Sequence, residues 1–332
     1  MSEAVDEEIE SSNAGDPTRS ARPARPVAPW LCTLIGVAAA FVGLAPWLVT
    51  GMRLPLQSLW AVVTTPDAMP LAMLPFSQYS LSLIFALLVV GAAAAGITAR
   101  ALRPRLPRGG FLLIVSVVIV IQVIAIVQTA VTVDGGLRGG TESALYLGAL
   151  IVVSVLSLLV GVLVVFLIAR APRAGALIGL SIGAIATQSW LTGFMGVTTP
   201  YEIVGLIQWV PPVLVGVAIA WTGLGTVGRV IAALVGIAMV WLAPAAITAV
   251  TAAAGMRVFG GRVNEMADYA LRVFEMAAFT PELAFRPIIA SLVVAAIGLA
   301  ARSVLLRRDR LNIEHGAHDT DRHDRRDRRG AV

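Results

Sequence analysis

The stretch FLLIVSVVIVIQVIAIVQTAV, residues Phe111 to Val131, decides what kind of protein this is. No charged residue interrupts it, and about 20 apolar residues at 1.5 Å rise each are what a helix needs to cross the hydrocarbon of a bilayer. Seven further stretches have the same character, at 30–50, 79–98, 144–168, 174–194, 203–221, 230–251 and 287–306. Pro211 and Pro212 interrupt the sixth span, and Arg302 sits near the end of the eighth, where its long stem can snorkel. The expected fold is therefore an all-α polytopic membrane protein with eight transmembrane helices.

Composition agrees. The chain is 58% hydrophobic and only 14% charged, against about 25% charged in an ordinary soluble domain. The basic residues are all Arg, with no Lys. The net charge of +5 invites a nucleic-acid reading, but the excess Arg lies beside the spans, where topology accounts for it; no nucleic-acid partner is expected. Cys32 is the one cysteine, so no intrachain disulfide and no Cys-based metal site can form.

The charges also orient the chain. The even-numbered connections carry Arg100, Arg103, Arg105 and Arg108, then Arg170 and Arg173, then Arg229, and no acid. The odd-numbered connections carry Asp67, Asp134, Glu142, Glu202, Glu265, Asp268, Glu275 and Glu282. Short Arg-rich loops stay in the cytoplasm. The flanks of both tails agree, with Arg19, Arg22 and Arg25 before the first span and Arg307, Arg308 and Arg310 after the last. Both termini are thus expected inside a plasma membrane and the acidic loops outside. A cleaved signal peptide is disfavoured because the first apolar run continues through Leu48, too long for a signal core.

Segments recur in order. Trp47-Leu48-Val49-Thr50-Gly51-Met52 resembles Trp190-Leu191-Thr192-Gly193-Phe194-Met195. Val63-Thr64-Thr65-Pro66 matches Val197-Thr198-Thr199-Pro200, and Thr129-Ala130-Val131-Thr132 matches Thr248-Ala249-Val250-Thr251. These matches suggest two four-span copies, 28–172 and 173–306, parallel because each holds an even number of spans. Residues 1–27 and 307–332 read as disordered cytoplasmic tails, the second dense in Arg, Asp and His.

The outer connections have further signals. Thr65-Pro66 and Thr199-Pro200 read as helix starts, with Thr as N-cap, Pro at the first helical position and Glu202 completing a capping box with Thr199. The Pro-rich, apolar segment 54–78 is expected to lie in the interface or dip back into the membrane. Residues 262–278 place Val263, Met266, Ala270, Leu271, Phe274 and Ala277 on one helical face, with Asp268 and Arg272 spaced as an i,i+4 pair. This predicts an amphipathic helix on the outer surface. The exits Gly51-Met52-Arg53, Gly136-Leu137-Arg138 and Gly255-Met256-Arg257 share a pattern: Gly for a left-handed helix end, Arg for the exposed carbonyls or lipid phosphates.

Chemistry is harder to find. The predicted spans contain no Asp, Glu, His or Lys, and Arg302 is their one Arg, which argues against ion-coupled transport. Their polar residues include four glutamines: Gln122, Gln128, Gln188 and Gln208. These either line a polar path or hydrogen-bond between helices, as membrane bundles often do. Arg53, Asp67, Arg138, Glu202 and Arg257 are the candidate outer-face ligand or lipid contacts. His315, His318 and His323 fall in the C-terminal tail. No catalytic residue, metal site or cofactor motif emerges. The expected function is a non-enzymatic scaffold or partner subunit of a cell-envelope or transport assembly. The alternatives are a carrier or flippase for an uncharged or lipid-like molecule, and a membrane enzyme with an outer-face site at Asp67 or Glu202. The expected partners are the lipid bilayer, with a membrane protein or a lipid-like ligand.

Overall fold

Lipid offers backbone N–H and C=O groups no partner, so an apolar chain that enters it folds into helices that satisfy themselves. The computed structural model of the protein describes residues 27–195, 199–255, 263–281 and 284–305. Among these residues, eight helical spans are long and apolar enough to cross a membrane. They are α1 (Pro29–Val49), α2 (Leu81–Ala101), α3 (Gly110–Asp134), α4 (Thr141–Ala169) and α5 (Arg173–Thr192), then a sixth span in two pieces, α6 (Tyr201–Ile207) and α7 (Val210–Thr222), then α8 (Val227–Gly255) and, after the surface helix α9 (Val263–Phe279), α10 (Ala284–Leu305). The chain is an all-α polytopic membrane protein. Successive connections leave the bundle at alternate ends, called here the acidic end and the arginine end after the residues they carry.

The helices approach closely because glycine removes the side chain at their crossings. A methyl group at Gly43 of α1 would sit 2.4 Å from the Leu87 carbonyl oxygen of α2, and one at Gly91 would sit 2.9 Å from the Ala39 carbonyl oxygen. In the first half α1 packs on α2 and α3, and α2 packs on α4. In the second, α5 packs on α7 and α8, and α7 meets α10 where Gly216 faces Ser291 and Val294. Helix α5 also joins the halves by packing on α2 and α4. From its end Trp190 Nε1 donates to the carbonyls of Val42 and Gly43 at 3.1 and 2.9 Å. The Val42 carbonyl is the one that Pro46 leaves without its helical N–H, so this cross-half bond supplies the missing donor.

Segment 54–78 turns back into the acidic end of the first four spans. Leu54, Met69, Ala72, Leu74 and Phe76 are buried there. Its irregular backbone is satisfied by side chains, as burial requires. Trp47 Nε1 donates to the Ala72 carbonyl at 2.7 Å. The Met73 N–H donates to Gln128 Oε1 at 2.8 Å and the Leu74 N–H to Thr129 Oγ1 at 2.9 Å. Gln57 Nε2 donates to the Phe76 carbonyl at 2.7 Å, while the Tyr146 hydroxyl donates to Gln57 Oε1 at 2.6 Å.

Three local expectations change. Pro200 is extended (ψ 139°), so α6 begins at Tyr201, one residue late, with no side-chain cap bond; the exposed Glu202 makes no capping box. Thr65 does precede a short 3-10 turn, Pro66–Ala68, likewise without a side-chain cap. The shared Gly exits do different work. Gly51 is left-handed at φ 95°, whereas Gly136 provides room, since a methyl group there would fall 1.9 Å from the Trp60 ring. On α9, Asp268 and Arg272 are both exposed, and the one salt bridge among the described residues is Arg138–Glu142 at 3.2 Å.

Candidate functional site

The second half has a cavity of about 260 Å³ in the part of the bundle toward the acidic end. Its walls follow from how the surrounding helices are broken. Pro211 and Pro212 have no N–H to return to the carbonyls four residues earlier, so α6 stops at Ile207 and α7 restarts at Val210. The prolines then occupy the first turn of α7, where a missing N–H leaves no gap. Gln208 and Trp209 fall in the break and face the cavity. Helix α5 contributes Ile185 and Gln188, and α8 contributes Val240, Trp241, Pro244 and Thr248. Pro244 is internal to α8 and deprives the Val240 carbonyl of its helical donor. Ala277 of α9 closes the top, held by Trp241 Nε1 donating to the neighbouring Ala278 carbonyl at 2.8 Å and by the edge-on packing of Trp241 on Phe279.

Helix α10 supplies Arg286. Among the described residues it is the sole ionisable side chain in the lining, and neither it nor Gln188 or Gln208 hydrogen-bonds to another of them. Sequence reasoning placed the eighth span from 287 and so left Arg286 outside the membrane; the structure carries the helix back to Ala284. Proline in a first turn does not stop a helix, and that is the signal by which Arg286 could have been found.

Arg286 and Trp209 also line a second, apolar depression on the neighbouring face of α10, with Ile289, Ala290, Val293 and Val294. These positions follow the i, i+3, i+4 spacing of one helical face, and Arg286 to Val294 covers about 12 Å along the helix toward the arginine end. The cavity itself goes no deeper. Val240 is shared with the packed cluster of Leu177, Val215, Ile219 and Ala295 between the cavity and the arginine end, so the space ends blind.

The glutamines divide into two pairs. Gln122 is buried and donates to the Leu88 carbonyl at 2.8 Å, while Gln128 binds the backbone of segment 54–78; both are interhelical or loop ties. Gln188 and Gln208, on different spans, come together at the cavity. The charged candidates are dispersed. Arg53 donates to the Asp67 carbonyl, Arg138 pairs with Glu142, Glu202 is exposed, and Arg257 lies outside the described residues. No family model, curated protein or solved structure matches the chain.

Proposed function

We propose that the chain is a non-enzymatic protein of the plasma membrane that holds a lipid-like molecule in the second-half cavity. The observation that carries this is the blind, partly polar cavity that shares Arg286 and Trp209 with an apolar depression on α10. A headgroup needs polar donors and an aromatic wall; a chain needs an apolar face running inward. A blind end suits a molecule that is held more than one that is conducted.

A comparison of the halves supports the same reading. We take them as parallel copies: both have their first span on the second and third, and their second span on the fourth. At the acidic end of the first copy, Leu74 and Phe76 fill the space between the spans and Thr129 accepts from the Leu74 N–H. In the second copy Thr248, the sequence counterpart of Thr129, lines a cavity instead. The ligand then takes the place of a chain segment. With the orientation expected from the positive-inside pattern, this site would face the outer leaflet. In cells whose Cys32 is replaced by alanine, Asp67→Cys is expected to react with an impermeant maleimide and Arg103→Cys is not; the reverse labelling would invert the topology.

Purification from native membrane tests the function. Native mass spectrometry is expected to find lipid retained by the chain alone, and Ala245→Phe, a substitution on α8 in the cavity wall, to reduce retention about tenfold, equivalent to about 1.4 kcal/mol, with the protein still recovered folded. Equal retention in both proteins would refute the site. A stoichiometric protein companion with no retained lipid would instead support the partner-subunit reading.

A further inference from the structure

Resting on that reading, we infer that the ligand is an anionic phospholipid, its phosphate on Arg286 and one acyl chain along the Ile289–Ala290–Val293–Val294 face of α10. The sequence offered an uncharged or lipid-like molecule as the cargo of the alternative carrier reading, with spans that lacked interior charge. Arg286 changes that premise. It stands within the span at the junction of the polar cavity and the apolar depression. Arg286 is exposed in the first turn of α10, and a cation at the end of a span is stabilised by reaching water or an anionic headgroup. No acid lines the cavity, and Arg286 has no hydrogen-bond partner among the described residues.

The choice of lipid follows from charge balance. A monoanionic headgroup cancels the single positive charge. A zwitterionic headgroup leaves the site at +1 and brings a second cation that no carboxylate among the described lining residues can meet. The guanidinium can hold two phosphate oxygens at once in a planar fork. Gln188 and Gln208 supply amide donors to the glycerol and ester oxygens, and Trp209 stands where headgroup passes to chain, the usual station for indole in a membrane. A free phosphate ester meets the cation but leaves the α10 depression empty, so the two-part site selects the lipid over the soluble anion.

The test uses the full chain in detergent with phosphatidylglycerol and phosphatidylcholine of identical acyl chains, and native mass spectrometry to count retained lipid. Wild type is expected to retain phosphatidylglycerol about tenfold over phosphatidylcholine. Arg286→Gln is expected to abolish the preference while keeping the phosphatidylcholine level, and Arg286→Lys to recover part of it. Ala290→Phe, which obstructs the chain path, is expected to lower retention of both lipids. Soluble glycerol phosphate in excess is expected to displace neither. Retention of both lipids without preference in wild type would overturn the charge assignment and leave the lipid site standing. Retention of neither would overturn the site itself. Unaltered binding in Ala290→Phe, or displacement by glycerol phosphate, would overturn the placement of the chain.

Discussion

Replacing Gly43 with alanine is expected to destabilise the protein more than an alanine substitution at any other helical glycine, and valine there to prevent recovery of folded material. The added methyl meets three backbone atoms: the Leu87 carbonyl oxygen at 2.4 Å and the Gly91 Cα and N at 2.7 and 2.8 Å. A side chain could turn aside, but a helix backbone cannot, so α1 and α2 must separate along their whole contact. Overpacking costs about 1–3 kcal/mol and occasionally more, and this position stands at the upper end because nothing nearby is flexible. Gly148 of α4 is the control, since a methyl group there meets no atom within 4 Å. Its replacement by alanine should be neutral or stabilise by about 0.5–1 kcal/mol, through the backbone freedom that glycine loses on folding. Thermal unfolding in detergent, followed by size-exclusion recovery, compares the two. Similar Tm values for Gly43→Ala and Gly148→Ala would show that the α1–α2 crossing is not as close as described.

Phe76→Ala is expected to cost about 3–5 kcal/mol, the usual range for emptying a buried aromatic site. Phe76 is fully buried within the cluster that includes Leu44, Leu87 and Leu150, and its carbonyl accepts from Gln57. Its removal unseats the inserted segment as well as leaving a void. Amide exchange should therefore rise at Met73 and Leu74, whose N–H groups are held by Gln128 and Thr129, and should not rise in α8. A loss of stability with unchanged exchange at those two amides would mean that the segment is anchored by its hydrogen bonds alone.

Much of this architecture was legible in the order of residues, for a physical reason: bilayer thickness imposes a minimum length of apolar chain, and a run such as Phe111 to Val131 has no other use. The eight spans follow from that rule with shifts of a few residues at their ends. Those small shifts mattered once, because two or three residues at the start of α10 decide whether Arg286 belongs to the preceding connection or to the helix that lines the cavity. The meeting of Gln188 and Gln208 at one cavity was not legible, since it depends on how α5 and the broken sixth span cross. The fate of segment 54–78 was half legible. Its prolines and apolar side chains showed that water would not hold it, but its anchors on Gln128 and Thr129 lie 55 residues away, a separation that no local pattern encodes. The Gly-x-Arg exits show the opposite case, where one local pattern serves unlike surroundings.

The way α5 bridges the halves has a consequence for biogenesis. The side chains that hydrogen-bond the inserted segment at Ala72, Met73, Leu74 and Phe76 all come from the segment itself or the first four spans, and the last residue of that network to emerge from the ribosome is Tyr146, near the start of α4. That half can therefore complete its own core and its own acidic-end closure before α5 is synthesised. Helix α5 then arrives on a finished platform, with Trp190 reaching back across 148 residues to the Val42 carbonyl that Pro46 left bare. The contacts are thus ordered so that the later half can be laid against the earlier one in the direction of translation, like a second course on a first.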